Sequence, residues 1–155
     1  MKRFFKELFE YNHHFNQELL DVFSRKPEKI SGRANQLLNH TLNAHQIWNY
    51  RIKGSKTAIG VWDMRSMQDL GRIDQLNFQD SLQILDAMEL NEIISYSYTT
   101  GRKVNKPMHD ILFHVINHST YHRGQIALEF RKNGLDPLKS DYIAYQKPSE
   151  HLPSL

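Results

Sequence analysis

The sequence predicts an all-α protein, an up-down four-helix bundle variant with a long connection after the second helix and a small β-hairpin before the fourth. Three observations support this prediction. Apolar residues recur at steps of three and four along four long stretches, Pro or Gly follows or begins several of them, and one short stretch changes to a period of two. The length of 155 residues suits one core, so we predict a single domain over residues 1–155.

The first half of the chain is predicted to hold two helices. The first covers about Lys2 to Phe23, where aromatic and leucine side chains share one face. Ser31 suits the N-cap of a second helix over about Gly32 to Lys53. From Ser55 to Leu76 the periodicity weakens between Gly and Asp residues. This stretch is predicted to be a long connection, and long loops in compact domains are often functional.

The second half is predicted to hold two more helices around a hairpin. The third helix covers about Asn77 to Ser95, and the segment Ile94 to Asn105 alternates like a small hairpin. The fourth helix runs from Pro107, in its first turn, to Asn133, and Gly134 suits the position just after its end. The tail is predicted to pack across the bundle through Tyr142, Ile143 and Tyr145.

The composition excludes several classes of function. The chain contains no Cys, so disulfides, thiolate metal sites and cysteine nucleophiles are excluded. It has no apolar run long enough for a membrane span and no secretory signal pattern, so we expect a cytoplasmic protein without membrane contact. The net charge of +3 is not concentrated in one run, which makes nucleic-acid binding an unfavoured hypothesis.

Histidine is the residue type that points to chemistry. The chain has nine, and four of them lie within fourteen residues of the fourth helix, from His109 to His122. His118 and His122 are four residues apart, so their side chains leave the same face and can converge on one metal ion. His114 lies one turn earlier, about 12 Å from His122 along the axis, so one ion cannot bind all three. A third ligand must come from another helix.

The second helix offers His40 and His45, and both lie near the edges of its apolar stripe. Periodicity does not decide between them. Three neutral imidazoles with positions open to water form a catalytic type of site, which suits Zn, Ni or Fe(II). The competing interpretation is that such histidines satisfy polar needs inside the core. We interpret His114 as a core histidine or as a residue that supports the ligands, not as a ligand. The remaining histidines are interpreted as surface or capping residues: His13, His14, His109 and His151.

Three rival sites fail on the sequence. A carboxylate-bridged di-metal bundle needs two Glu-x-x-His motifs, and only Glu10 to His13 provides one. A Ser-His-Asp hydrolase of the α/β type needs a G-x-S-x-G turn, which is absent. No glycine-rich phosphate loop is present either.

The sequence resembles the DinB/YfiT-like metalloproteins along nearly the whole chain. The most specific stretch is His114-Val-Ile-Asn-His118-Ser-Thr-Tyr-His122-Arg-Gly-Gln125, which is similar to the fourth-helix signature of that family. The Tyr11-Asn12-His-His-Phe-Asn16 segment resembles the first-helix pattern, and the segment from Asn39-His40 to Trp48 resembles the second helix. Further similarity lies at Tyr98, Gly101 and the Asp141-Tyr142-Ile143 segment.

This resemblance implies a four-helix bundle that binds one divalent ion, often as a homodimer. The implied ligands are His40, His118 and His122, so the resemblance selects His40 where the helical pattern left the choice open. Arg123 is implied to be a buried structural donor that ties helices or a dimer together. For Gln125 two interpretations stay open, a residue that supports the site or an ordinary polar flank. Characterised relatives include thiol-dependent S-transferases, which implies a low-molecular-weight thiol as cofactor.

The leading hypothesis is therefore a metal-dependent enzyme, a thiol transferase or a hydrolase, acting on a small-molecule substrate or thiol. His114 is the nearest candidate for a general base by its position on the helix. The second hypothesis is a non-catalytic metal-binding or stress-response bundle. The third is a basic bundle that binds nucleic acid.

Overall fold

Four α-helices and one two-stranded antiparallel sheet form the fold of the computed structural model, which describes residues 1–97 and 100–145. The elements in chain order are α1 (Lys2–Arg25), α2 (Gly32–Ile52), α3 (Met67–Ala87), β1 (Ile93–Ser97), β2 (Lys103–Pro107) and α4 (Met108–Lys132). The predicted helical bundle with a hairpin before its last helix is confirmed. In the described part of the chain no helix combines the length and the hydrophobicity that a membrane crossing requires.

The interior of the bundle is apolar at its two ends and polar between them. α1 packs mainly on α3, and α2 packs mainly on α4. One apolar cluster contains Phe9 and Leu112, and a second contains Leu38 and Phe130. Along α1, the buried Asn12 and Asn16 separate the residues that belong to these two clusters. Because buried polar groups need partners, this middle layer specifies which side chains face each other.

The start of α2 and the end of α4 carry the capping residues that the sequence predicts. The Ser31 hydroxyl accepts a hydrogen bond from the Ala34 amide at 3.0 Å, which satisfies one free N–H of the first turn of α2. Gly134 follows α4 with a φ of 70°, a conformation that favours glycine.

The connection after α2 is shorter than predicted, because α3 begins at Met67 within the stretch that was predicted to be irregular. The Ser66 hydroxyl caps α3 by accepting from the Asp69 amide at 3.1 Å. The buried face of the first turns includes Leu70, Ile73 and Asp74. The sequence pattern misses this start because an acidic residue occupies a core position, which interrupts the apolar repeat.

The third helix also ends earlier than predicted, at Ala87 instead of Ser95. Met88 is extended, with a φ of −122° and a ψ of 157°, and the chain then enters β1. Two carbonyls of this turn accept hydrogen bonds from the free amides at the start of α4. The Met108 amide donates to the Glu92 carbonyl at 2.8 Å, and the His109 amide donates to the Leu90 carbonyl at 2.9 Å. These bonds join segments that are distant in sequence, so a local pattern cannot reveal them.

The hairpin lies where it was predicted, with small differences at its ends. β1 pairs with β2 in the register Ile93 with Pro107 to Ser97 with Lys103. Pro107 therefore closes β2 and precedes α4, and it does not lie in the first helical turn as predicted. Tyr98 lies outside the described residues.

The tail packs on α1 through two of the three predicted side chains. The rings of Tyr142 and Tyr145 lie 5.2 and 5.7 Å from the ring of Tyr11. The prediction is wrong for Ile143, which is 96% exposed. This residue is the middle one of a single 3₁₀ turn over Tyr142–Ala144, so its side chain leaves the opposite side. Residues 146–155, which include His151, lie outside the described part.

Candidate metal centre

Three histidine side chains from two helices meet in the polar middle of the bundle. Nε2 of His118 lies 3.1 Å from Nε2 of His40 and 3.1 Å from Nε2 of His122. One nitrogen from each ring lies within 4.8 Å of the other two. His118 and His122 are one turn apart on α4, whereas His40 comes from α2, which packs directly on α4. We refer to these residues as the three-His group.

The Gln125 side chain fixes the ring of His122. Its Oε1 atom lies 2.7 Å from Nδ1 of His122. A carbonyl oxygen only accepts, so Nδ1 carries the hydrogen and the lone pair of the neutral ring is on Nε2. That nitrogen is the one that faces the other two histidines. Gln125 therefore has the position and the chemistry of a residue that supports the site.

The electrostatics favour the uncharged forms of His118 and His40. Burial lowers the pKa of His118 to about 3, and the positive charges that His122, His40 and His114 would carry add to this effect. Burial, followed by the influence of His122, also lowers the pKa of His40. Neutral imidazoles have free lone pairs, so these rings are prepared to bind a cation.

Two members of the three-His group are buried, and the third is partly exposed. His40 is 9% and His122 is 8% exposed, but His118 is only half-buried. A structural zinc site is normally closed, whereas a catalytic site keeps an accessible position. The partial exposure of His118 agrees with the second type.

The connection between α2 and α3 forms one wall of the site. The ring of Trp62 stacks on the ring of His40 with 3.9 Å between centroids and an angle of 19°. Two asparagines of α2 anchor the chain beyond this ring, with one bond from Asn43 Nδ2 to the Asp63 carbonyl at 2.8 Å and one from the Arg65 amide to Asn39 Oδ1 at 2.7 Å. Trp62 itself stays 51% exposed, so it can contact both His40 and a ligand.

The comparison with known proteins agrees with this arrangement. The sequence model of the DinB family matches residues 1–152. The chain belongs to the DinB family. Among curated proteins, Protein DinB of Bacillus subtilis (strain 168) is 25% identical over an alignment of 165 positions, which covers 94% of this chain and 95% of that protein.

The DinB resemblance selected His40 over His45, and the structure brings His40, not His45, to the other two histidines. His45 turns towards α3, where its Nε2 lies 2.8 Å from the Ser81 hydroxyl, and its ring stacks on Phe9 with 5.5 Å between centroids. The two residues are five positions apart, which turns their side chains to different neighbours of α2. That the three-His group binds metal stays a prediction.

His45 makes the stability of the metal-free protein depend on pH. Burial lowers its pKa to about 4, whereas an unfolded chain binds this proton near pH 6.5. Protonation therefore favours the unfolded state as the pH falls from 6.5 towards 4. We expect the free energy of unfolding to fall in this window by up to about 1.4 kcal/mol per pH unit from this group. Urea unfolding at several pH values measures the slope.

The matched variant for this prediction is His45→Gln. It should lower the free energy of unfolding at pH 7. It should also make the free energy of unfolding less dependent on pH below pH 6.5, because one proton fewer is taken up on unfolding, while His118 and His40 keep their own contributions. An unchanged slope in His45→Gln would show that this residue does not cause the pH dependence.

Arg123 lies away from the three-His group and ties α4 to α1. It is 4% exposed and donates to the Tyr11 hydroxyl at 2.7 Å and to the Thr120 hydroxyl at 3.2 Å. Burial lowers its pKa, and the neighbouring Tyr11 opposes this effect. Its surroundings match the structural role that the resemblance implied.

The histidines interpreted as surface or capping residues differ in their surroundings. The interpretation is wrong for His13, which is half-buried, stacks on Phe78 and donates from Nδ1 to Asp74 at 2.6 Å. It was missed because its partner lies in the part of α3 that was predicted to be irregular. His14 is exposed, and His109 caps the turn before α4 through the Leu90 carbonyl at 2.8 Å.

Sequence reasoning missed the aromatic side chains beside the three-His group. The interpretation of His114 as a core histidine is wrong, because it is exposed. Its ring contacts that of Trp48 at 5.3 Å and that of His118 at 5.5 Å. One spacing in the sequence does point to the part of α2 that contacts these rings: Arg51 follows His40 by eleven residues. Three helical turns take 10.8 residues, so the two residues share a face of α2.

Proposed function

We propose that this DinB-family protein is a metal-dependent enzyme, a thiol S-transferase or a hydrolase, in which His40, His118 and His122 hold one divalent ion. The observation that carries this proposal is the convergence of three imidazole nitrogens from α2 and α4. A set of nitrogen ligands without sulfur suits Zn, Ni or Fe(II). Three ligands leave positions for water or for a thiol.

The spacing of the nitrogens supports the fit of an ion. Two nitrogens that bind the same zinc ion at about 2.0–2.1 Å with tetrahedral angles lie roughly 3.4 Å apart. The observed separations of 3.1 Å are close to this value, and a small outward rotation of the rings would match it. The lowered pKa values of His118 and His40 also favour ligation, because a metal must otherwise displace a proton.

A bound divalent ion would supply Lewis acidity, which lowers the pKa of a thiol or a water molecule and yields a nucleophile at neutral pH. The protein would supply the rest. His114, whose ring lies 5.5 Å from that of His118, is the candidate proton acceptor, and burial lowers its pKa, which favours its neutral form. Trp62 covers the ring of His40 and keeps water from that side.

The role of Gln125 is tested through metal affinity. Gln125→Leu leaves the Nδ1 hydrogen of His122 without its acceptor, so the ring loses its fixed orientation. Partners of this kind typically contribute 10- to 100-fold to affinity, and we expect a loss of about that size. Competition with a chromophoric chelator measures it. The control is Gln68→Leu on the exposed part of α3, and equal affinities of the two variants would contradict the prediction.

The catalytic proposal is tested by reconstitution with Zn, Ni or Fe(II), one metal at a time. Each form is combined with a panel of low-molecular-weight thiols and electrophiles, and with ester and amide substrates without thiol. We expect product formation above the rate of His118→Ala for at least one combination. A complete absence of turnover in protein that is shown to contain metal would reject the catalytic function.

A second candidate function is a non-catalytic metal-binding bundle. The observation in its favour is that the three histidines join α2 to α4, so an ion would stabilise the contact between these helices. In that case the metal should raise the melting temperature according to its affinity and concentration. A small ligand should then bind no more tightly to the metal-loaded form than to the metal-free form.

A further inference from the structure

A guanidinium group is held between two aromatic rings at the end of α2. Cζ of Arg51 lies 4.5 Å from the ring centroid of Trp48 and 5.4 Å from that of Tyr96 on β1. These rings are nearly perpendicular, with 5.1 Å between centroids. A guanidinium that packs over rings still presents the N–H donors along its edge, in a fixed plane. The pair of rings therefore pre-organises the fork of Arg51.

Arg51 belongs to the same face of the bundle as the three-His group. It lies eleven residues after His40, which is three turns or about 16 Å along α2. A row of ring contacts connects the two positions. The ring of His118 lies 5.5 Å from that of His114, and the ring of His114 lies 5.3 Å from that of Trp48, over which the guanidinium packs.

The charge of Arg51 has no carboxylate partner in the described part of the chain. Among the described residues no carboxylate lies within ion-pairing distance of it. The nearby Lys53, in contrast, pairs with Asp80 at 2.7 Å. An ordered guanidinium without a carboxylate partner among the described residues can recognise an anionic group on a ligand.

We propose that Arg51 is the specificity-determining residue for a carboxylate on an elongated thiol ligand, whose sulfur lies at the three-His group. This inference rests on the proposed function, because it places the thiol at the metal. Trp48 and Tyr96 act as positioning residues that hold the guanidinium plane. The carboxylate accepts two parallel hydrogen bonds from the fork, and the row of rings lines the path between the two ends of the ligand.

The test uses Co²⁺-loaded protein and acetyl-cysteine peptides that carry one to four glycines. Each peptide is made with a free carboxylate and as the neutral amide. An extended chain spans about 3.3–3.6 Å per residue, so the longer peptides reach from the three-His group towards Arg51. The sulfur-to-cobalt charge-transfer band measures binding. We expect the carboxylate form of a longer peptide to bind about tenfold more tightly than its amide.

Three variants separate recognition from general charge effects. Arg51→Met should reduce the preference for the carboxylate to about onefold, and Arg51→Lys should retain only part of it because the planar fork is lost. The matched control Arg72→Met removes an exposed, ion-paired arginine of α3 and should keep the full preference. Equal binding of acid and amide by the unaltered protein, or full preference in Arg51→Met, would overturn the inference.

A second readout does not depend on the metal. In Trp62→Phe protein, Trp48 is the remaining tryptophan, and its fluorescence reports on ligands near Arg51. If cobalt does not bind but the metal-free protein still distinguishes acid from amide, the metal proposal fails and the role of Arg51 is supported. If cobalt binds the thiols but Trp48 responds equally to acid and amide, the role of Arg51 is refuted and the metal proposal stands.

Discussion

Replacing His118 with alanine is expected to remove stoichiometric metal from the protein. His118 is the central member of the three-His group, because its Nε2 atom is the one that lies 3.1 Å from both other rings. Loss of a residue that merely orients a ligand typically costs 10- to 100-fold in affinity, so loss of a ligand should cost more than about 100-fold. Elemental analysis of protein that was purified after metal loading measures the stoichiometry.

The matched control for this prediction is His14→Ala, which removes an exposed histidine of α1 and should leave the metal content unchanged. Circular dichroism and the melting temperature of the metal-free proteins show whether both variants fold. Undiminished metal in folded His118→Ala protein would reject the three-His site.

Replacing Asp74 with alanine is expected to cause the largest loss of stability among the polar residues. Its carboxylate is 2% exposed and accepts hydrogen bonds from three side chains of α1, from His13 at 2.6 Å, Asn16 at 2.7 Å and Gln17 at 2.6 Å. Removal leaves these donors without an acceptor inside the bundle. Loss of one partner from such a buried network costs about 3–5 kcal/mol, which urea unfolding at pH 7 measures.

Two further variants make this prediction specific. Asp86→Ala removes an exposed carboxylate that pairs with Lys6 and should change the free energy of unfolding by less than about 1 kcal/mol. Asp74→Asn keeps an acceptor oxygen and the shape of the side chain, so its loss should lie between the two. A loss below 1 kcal/mol for Asp74→Ala would show that the network contributes little.

The sequence predicts where three of the four helices begin, and it misses the start of α3, where a carboxylate occupies a core position. α1, α2 and α4 begin within one residue of the predicted positions because regular apolar spacing, Ser31 and Pro107 mark their starts. α3 was predicted to begin ten residues too late, since Asp74 occupies a position inside the bundle. The partners of this carboxylate lie on α1, more than fifty residues away in the chain.

In the candidate site, too, residues close in sequence are predicted and contacts between distant elements are not. Helical spacing alone pairs His118 with His122, and the family resemblance adds His40. Neither predicts that Trp62 stacks on His40 or that Arg51 packs between Trp48 and Tyr96, because these contacts join a connection and a strand to α2. Such contacts depend on how the elements pack, which a single sequence does not state.

The anchoring of the connection by Asn39 and Asn43 has an evolutionary consequence. Both bonds hold the chain after Trp62, at Asp63 and Arg65, whereas the residues from 55 to 61 carry no member of either apolar cluster. Doubling the length of a flexible loop costs only about 0.6 kcal/mol in closure entropy. Insertions before the turn at Gly60 and Asp63 can therefore accumulate among descendants, while the inherited bundle folds as before.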